Sequence, residues 1–362
     1  MDRKYDNKVT ELQNKNNQKG LSKLERYKND LASNARKEVR QSVKKELNQK
    51  SRHDEVVGKI GTLFLDDEII NETGYRLKTY EPLYEVPLKE SGYKIADLLI
   101  YNSEKNNAFI FEVKTGSLSG AFSEMESIKQ TLHEKQDKLE RIIGDNYSEA
   151  TYEFGLIIDQ KNISGTIKDH VENSHEQNVT LYLYQSNTLH LHGTWTISDK
   201  DFEKQLKQGI YKDEGSSSTI TPNSHEFNIL HNTLIEIFRK NLIADKNKPK
   251  IFSKKEFEEA FFELVTITQF QEDSDFGKAL KRRVENILEE GLEFNIIKER
   301  SENKYKIYVQ GKKDYQKLIS NIRRKWINEY VEKNWEKRAE RNAYLKFENE
   351  KREETKTLDD YP

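Results

Sequence analysis

Tyr93-Lys94-Ile95-Ala96-Asp97-Leu98-Leu99-Ile100-Tyr101, a polar gap over 102–107, and Ala108-Phe109-Ile110-Phe111-Glu112-Val113-Lys114 decide how this 362-residue chain is read. Two apolar runs rich in β-branched and aromatic residues, split by a short polar gap, predict an antiparallel hairpin. With Tyr101 facing Ala108, paired residue numbers sum to 209 and Asp97 falls opposite Glu112. Directly opposed residues place their Cβ atoms about 4.5–5.5 Å apart on one face. Side chains alternate along a strand, so Lys114 shares the face of Glu112, while Ala96, Leu98, Phe109, Phe111 and Val113 take the other. Three charges therefore converge on one spot of an otherwise apolar hairpin.

Opposed carboxylates repel and lose hydration, which demands positive charge between them. Lys114 neutralises one of the two. A hard divalent cation held by carboxylate and water oxygens satisfies both, and Mg²⁺, with Mn²⁺ as a substitute, is the expected occupant. Such an ion polarises a phosphodiester and activates water, and Lys114 would orient or help deprotonate that water. A buried salt-bridged triad with no ligand is the competing arrangement. It is disfavoured because a buried ion pair is seldom better than apolar packing of the same volume.

An acidic residue on a hydrophobic strand, Glu-x-Lys on the next, then a long helix and two more strands resembles the PD-(D/E)xK nuclease superfamily, the fold of restriction endonucleases and archaeal Holliday-junction resolvases. The likeness covers residues 53–185, with Ala96 where a proline often stands. It implies an α/β fold, a restriction-endonuclease-like mixed sheet flanked by helices, and a Mg²⁺-dependent phosphodiesterase. Asp97 and Glu112 would be metal ligands, the Val113 carbonyl a third, and Lys114 the catalytic lysine. The resemblance also implies an acidic residue from the helix before the sheet, a position that Glu55 fits, with Glu81 and Glu85 as competitors. A glutamine on the helix after Glu-x-Lys would position water or phosphate, and Gln130 fits there. A solvated helix face accounts equally well for Glu55 and Gln130.

Outward from the hairpin, His53 to Leu65 reads as helix, and Pro82, Pro87 and Gly92 break short strand-like runs. Ala121–Ile143 reads as a long helix, followed by strands at Phe154–Ile158 and Val179–Tyr184, so residues 51–208 form a mixed α/β domain. Gly209, Gly215, Ser216, Ser217, Ser218 and Pro222 mark 209–225 as a linker. Over 226–310 follow a helix at Glu226–Leu242, a second from the capping box Ser253-Lys254-Lys255-Glu256 to Leu264, and a third at Phe276–Gly291 that the glycine should stop. Phe294–Lys298 and Tyr305–Val309 then flank a turn at Ser301-Glu302-Asn303. Three helices and a hairpin resemble the element order of a winged-helix domain. In it Phe276–Gly291 would be the recognition helix, turning Lys278, Lys281 and Arg282 toward nucleic acid; a protein–protein module of the same elements is the alternative.

The two ends differ from the body. Residues 1–50 carry 14 Lys/Arg against 7 Asp/Glu, and 311–362 carry 14 against 11, so a net charge of −2 hides −12 over 51–310. Basic ends suit a polyanionic partner. Leu24, Leu31, Val39, Val43 and Leu47 recur near helical spacing in a basic N-terminal arm. In the C-terminal segment Ile322-Arg323-Arg324-Lys325-Trp326 and Trp335-Glu336-Lys337-Arg338 interleave aromatic rings with cations, which suits phosphate and base contacts by Arg323, Arg324 and Lys325. The rival reading has Ile319, Ile322, Trp326, Tyr330 and Val331 packing on the body.

Absent features narrow the function further. With no cysteine, disulfides and thiolate metal sites are excluded. No apolar run nears the ~20 residues of a membrane span, and Met1-Asp2-Arg3-Lys4-Tyr5 leads into polar sequence without a signal-peptide core, so a cytoplasmic protein is expected. Neither a phosphate-cradling Gly-x-x-x-x-Gly-Lys-Ser/Thr loop, a dinucleotide Gly-x-Gly-x-x-Gly nor a Gly-x-Ser-x-Gly elbow occurs. The expectation is a metal-dependent endonuclease acting on DNA, in restriction or anti-phage defence, and dimeric if each chain cuts one strand. A non-catalytic nucleic-acid-binding or scaffold protein that keeps the fold is the alternative.

Overall fold

The computed structural model describes residues 3–82, 95–116, 118, 120–136, 150–160, 179–193, 195–212, 220–222, 224–244, 250–265, 275–309 and 315–359. Glu85 and the expected helical residues 137–143 lie outside them. The chain divides into two compact units, residues 1–47 with 291–300 and 306–362, and residues 48–290 with 301–305. The two basic ends thus belong to one unit.

In that unit, helix α1 (Arg3–Asn14), the first part of α2 (Gln18–Leu63) and the last long helix (Tyr315–Asp359) pack through Leu12, Leu24, Tyr27 and Ala343. Lys28 pairs with Glu340 at 2.7 Å and Arg36 with Glu332 at 3.3 Å, so partner numbers rise in one helix as they fall in the other and the two run antiparallel. Part of the basic charge of the two ends is engaged in such pairs. Arg36 also lies 3.8 Å from the centre of the Trp335 ring, and Ile322, Trp326 and Val331 are buried, so the apolar stripe of the C-terminal helix packs inward.

The larger unit is built on a mixed seven-stranded sheet. After α2 come α3 (Asp67–Thr73), β1 (Arg76–Tyr80), β2 (Leu98–Asn102), β3 (Asn107–Lys114), α4 (Ala121–Glu134), β4 (Thr151–Asp159), β5 (Thr180–Gln185), β6 (Thr188–Leu191), α5 (Lys200–Gln208) and β7 (Ile210–Tyr211). The strands lie in chain order: β1 to β3 are antiparallel, β4 and β5 run parallel to β3, and β6 and β7 return antiparallel. Parallel β3 and β4 need a crossover, and α4 lies in it. Val56, Val57 and Ile60 of α2, with Phe64 just beyond it, recur at helical spacing and join Leu98, Phe109, Phe111 and Met125 in one core.

The hairpin register is the expected one. Leu98 pairs with Phe111 and Tyr101 with Ala108. Asn102 Oδ1 accepts the N–H groups of Glu104 and Lys105, and Asn106 adopts φ 48°, a left-handed turn geometry that asparagine tolerates. β2 starts at Leu98 rather than Ile95: the Asp97 N–H bonds the carbonyl of Phe111, the residue already paired with Leu98, so the backbone slips out of register there. Within the stretch expected to be linker, Ile210–Tyr211 completes the sheet. Gly209, at φ 98°, ends α5 and lets Ile210 re-enter the core.

Further on lie α6 (Glu226–Ala244), β8 (Ile251–Ser253), α7 (Lys254–Val265), α8 (Asp275–Glu293), β9 (Ile297–Ser301), β10 (Lys304–Ile307) and α9 (Tyr315–Asp359), with a small sheet ordered β8-β10-β9. The capping box forms: Glu256 Oε2 accepts the Ser253 N–H at 2.6 Å, and Ser253 Oγ accepts the Glu256 N–H at 3.2 Å. Gly291 does not stop α8. The helix runs two residues on, and left-handed Asn295 turns the chain so that Ile296 N–H reaches the Gly291 carbonyl. β8 had no sequence signal beyond three residues. Among the described residues no helix is long and apolar enough to cross a membrane.

Candidate functional site

Asp97 immediately precedes β2 and is fixed at every polar atom of its backbone. Its N–H donates to the Phe111 carbonyl at 2.9 Å, and its carbonyl accepts the Glu81 N–H at 2.8 Å. Its carboxylate Oδ2 accepts the Val113 N–H at 2.6 Å and lies 3.3 Å from His53 Nε2 on α2. On β3, Glu112 Oε1 accepts from Lys114 Nζ at 2.7 Å, and the same ammonium contacts Glu124 of α4. Asp97 and Glu112 are each only 8% exposed. Asp97, Glu112 and Lys114 converge at the end of the hairpin, joined by His53 from the helix before the sheet and Glu124 from the helix after it.

The charges respond to one another. Burial raises the Asp97 carboxyl, but the His53 charge, the Val113 N–H and Lys114 outweigh it and hold Asp97 below the ordinary aspartate value. Glu112 goes the other way: burial, then the Asp97 charge, pushes it up to about 8. Burial disfavours charge on His53 and Lys114 as well. Asp97 and Asp54 reverse this for His53, Glu112 and Glu124 do so for Lys114, and both titrate above their usual values. Two buried carboxyls, one of them raised by burial and by the charge of the other, are hard-oxygen donors of the kind a divalent cation takes. Asp97 and Glu112 are the residues that could hold it. Among the described residues no group of three His, Asp or Glu side chains is arranged as a metal site, and the cations on these carboxylates are Lys114 and His53.

A second layer braces the first. Arg52, beside His53 on α2, grips Asp159 at the end of β4 with Nε and Nη2 at 2.8 and 3.0 Å, and Asp159 is 1% exposed. Asn228 of α6 donates to Asp54 at 2.8 Å and accepts from Ser51 at 3.1 Å. Thr221, just ahead of α6, donates to Glu81 at 2.6 Å. Glu81 adopts φ 48°, a costly conformation for a non-glycine residue, in the place where its N–H anchors Asp97.

Two expected site residues do not reach this cluster. Glu55 lies on a neighbouring face of α2, its side chain 43% exposed, between Arg52 and Lys59 at 3.0 Å each. Gln130 is exposed on α4 and donates to Glu134 one turn on. Val113 offers Asp97 its N–H, and its side chain is fully buried. Elsewhere, Lys278 and Arg282 are exposed on α8 and Lys281 is half-buried. Arg324 is exposed and donates to Asn321, Arg323 is half-buried, and Lys325 lies over the Tyr308 ring.

No family model matches this chain, and no solved structure does. An uncharacterized protein of Archaeoglobus fulgidus is similar, 22% identical over 342 residues that span 87% of this chain and 90% of that protein.

His53 and Glu124 are the members that residue type and motif spacing overlooked. Helical phase signals both. His53 is three and four residues from buried Val56 and Val57, so it shares their inward face, whereas Glu55 does not. Glu124 is four residues before buried Ile128 and seven before buried Thr131, while Gln130 is out of step with that stripe.

Proposed function

We propose that this chain is a Mg²⁺-dependent nuclease that hydrolyses phosphodiester bonds in DNA at the end of the β2–β3 hairpin. The observation that carries the reading is the burial of Asp97 and Glu112 within reach of each other's charge, with Lys114 bonded to Glu112. The order of helix, three-stranded antiparallel meander, helix and parallel strand supports the resemblance to PD-(D/E)xK nucleases. The run α6, β8, α7, α8, β9, β10, with β8 against β10, supports a winged-helix-like reading of the helical region, with Lys278 and Arg282 exposed on α8.

Asp97 and Glu112 would hold the ion, which when bound supplies Lewis acidity to the phosphodiester and lowers the pKa of water. The chain's own residues do the rest. The Val113 N–H and His53 fix the Asp97 carboxylate in one rotamer. Lys114, carried by Glu112 and Glu124, presents an ammonium where an attacking water needs orientation and a phosphate needs neutralisation. Arg52 clamps α2 to β4 and so keeps His53 in reach of Asp97.

Plasmid, linear duplex, single-stranded DNA and RNA incubated with Mg²⁺ or Mn²⁺, and with chelator, test the proposal. Cleavage that needs the metal and disappears in Asp97→Ala and Lys114→Ala is the expected result. Cleavage that survives either substitution removes this site from the chemistry. Binding without cleavage of any substrate favours the non-catalytic alternative.

A further inference from the structure

Tyr308 follows β10 and is 49% exposed, although Ile307 and Val309 on either side are buried. Alternation of side chains along the extended chain thus sets the ring on the surface while its neighbours anchor it. Lys298 of β9 places its ammonium 3.6 Å from the ring centre, and Lys325 of α9 places its own at 4.9 Å. Most other aromatic–cation contacts of this unit carry a carboxylate as well: Lys333 over Phe294 pairs with Glu293, and Arg36 over Trp335 pairs with Glu332, whereas Lys346 over Tyr27 has no such pair among the described residues. Among the described residues neither Lys298 nor Lys325 has such an ion pair. Arg300 shares the Lys298 side of β9, and Glu299 alternates to the other. Glu329, one turn along α9 from Lys325, is the acidic position on that helix face, and no ion pair joins it to either lysine.

We propose that Tyr308, Lys298 and Lys325 form a platform for single-stranded nucleic acid, with one base stacked on the tyrosine ring and the two ammoniums on the flanking phosphates. A base on an aromatic ring is held more firmly than an exposed ammonium over the same ring, so an incoming base displaces a lysine and leaves it beside the backbone. Stacking needs a base whose face is free, which a duplex does not offer. The inference deepens the nuclease proposal by naming an unpaired stretch of the substrate, but its test does not require cleavage.

Fluorescence anisotropy of a labelled oligo-dT with the full chain in chelator measures the platform directly. Tyr308→Ala should weaken binding about tenfold while Tyr308→Phe binds as the parent does. The Lys298→Ala/Lys325→Ala chain should lower the slope of log affinity against log salt by about 1.4, at roughly 0.7 per phosphate contact on a single strand. Duplex of equal length should bind Tyr308→Ala and the parent alike. Unchanged oligo-dT affinity in Tyr308→Ala, or an unchanged salt slope in the lysine variant, overturns the platform, as does equal loss on duplex and single strand. Should Tyr308→Ala fail to fold, the lysine variant decides alone. Loss of the nuclease reading shows up separately, as absent metal-dependent cleavage while the anisotropy differences persist.

Discussion

Glu112→Gln should make the metal-free protein more stable than its parent in alkaline buffer and leave the two alike in acid. Burial and the Asp97 charge raise Glu112 from 4.5 to about 8 on folding. A carboxyl raised in this way holds its proton more tightly in the native state. Below 4.5 both states are protonated and nothing is lost; from there to about 8 only the unfolded chain releases the proton, so stability falls as pH rises, and above that the loss is complete. At about 1.36 kcal/mol per unit the full shift corresponds to about 5 kcal/mol. The attraction of Lys114, 2.7 Å away, is already contained in the raised value, and relaxation of the site around a buried charge reduces what is realised. The expected net gain is about 1–3 kcal/mol. Asp97, held low, contributes stability that is lost only as pH falls through its folded value; His53, held high, contributes below its unfolded value and loses it as pH rises through the folded one. Both residues are present in either chain, so the difference between the two curves isolates Glu112. Urea unfolding in chelator from about pH 5 to about pH 8.5 measures it, with linear extrapolation at each pH. A gap that stays constant or narrows as pH rises refutes the reasoning.

Arg52→Ala takes both guanidinium bonds from a buried carboxylate and should cost about 3 kcal/mol, read as a lower urea midpoint, with part recovered in Arg52→Ala/Asp159→Ala. Gln130→Ala should leave DNA cleavage within about threefold of the parent, whereas Glu124→Gln, which touches Lys114, should lower kcat about tenfold or more. Gly155 sits opposite Phe111 on β4, and a Cβ there would lie 2.5 Å from the Tyr182 ring and 2.7 Å from that of Phe111, so Gly155→Ala should lose about 1–3 kcal/mol by thermal unfolding.

The hairpin was legible because its register follows from one polar gap and a two-residue period: the pairs from Leu98–Phe111 to Asn102–Asn107 follow that count, although the ladder stops short of Asp97, whose N–H goes to the Phe111 carbonyl. The capping box at Ser253 was legible for a similar reason, since each partner is three residues from the other. His53 was hidden by distance: 44 residues separate it from Asp97, and residue type alone favoured the neighbouring glutamate. Helical phase separates the two, which makes the direction of a side chain a better guide than its chemistry. Ile210–Tyr211 was masked by the glycine and serine around it, and only the core that Ile210 enters reveals a strand. The pairing of the two basic ends needed contacts between residues about 300 positions apart, which no local pattern encodes.

The bonds from Thr221 to Glu81 and from Asn228 to Asp54 have a practical consequence for chimeras. Exchanging the helical region with that of a similar protein, to change what is recognised, invites a splice among Gly215 and the serines that follow it. Such a hybrid would inherit foreign residues at the two positions that brace the sheet from outside it. The safer seam lies beyond the first turn of α6, so that residues 220–228 travel with the sheet they support.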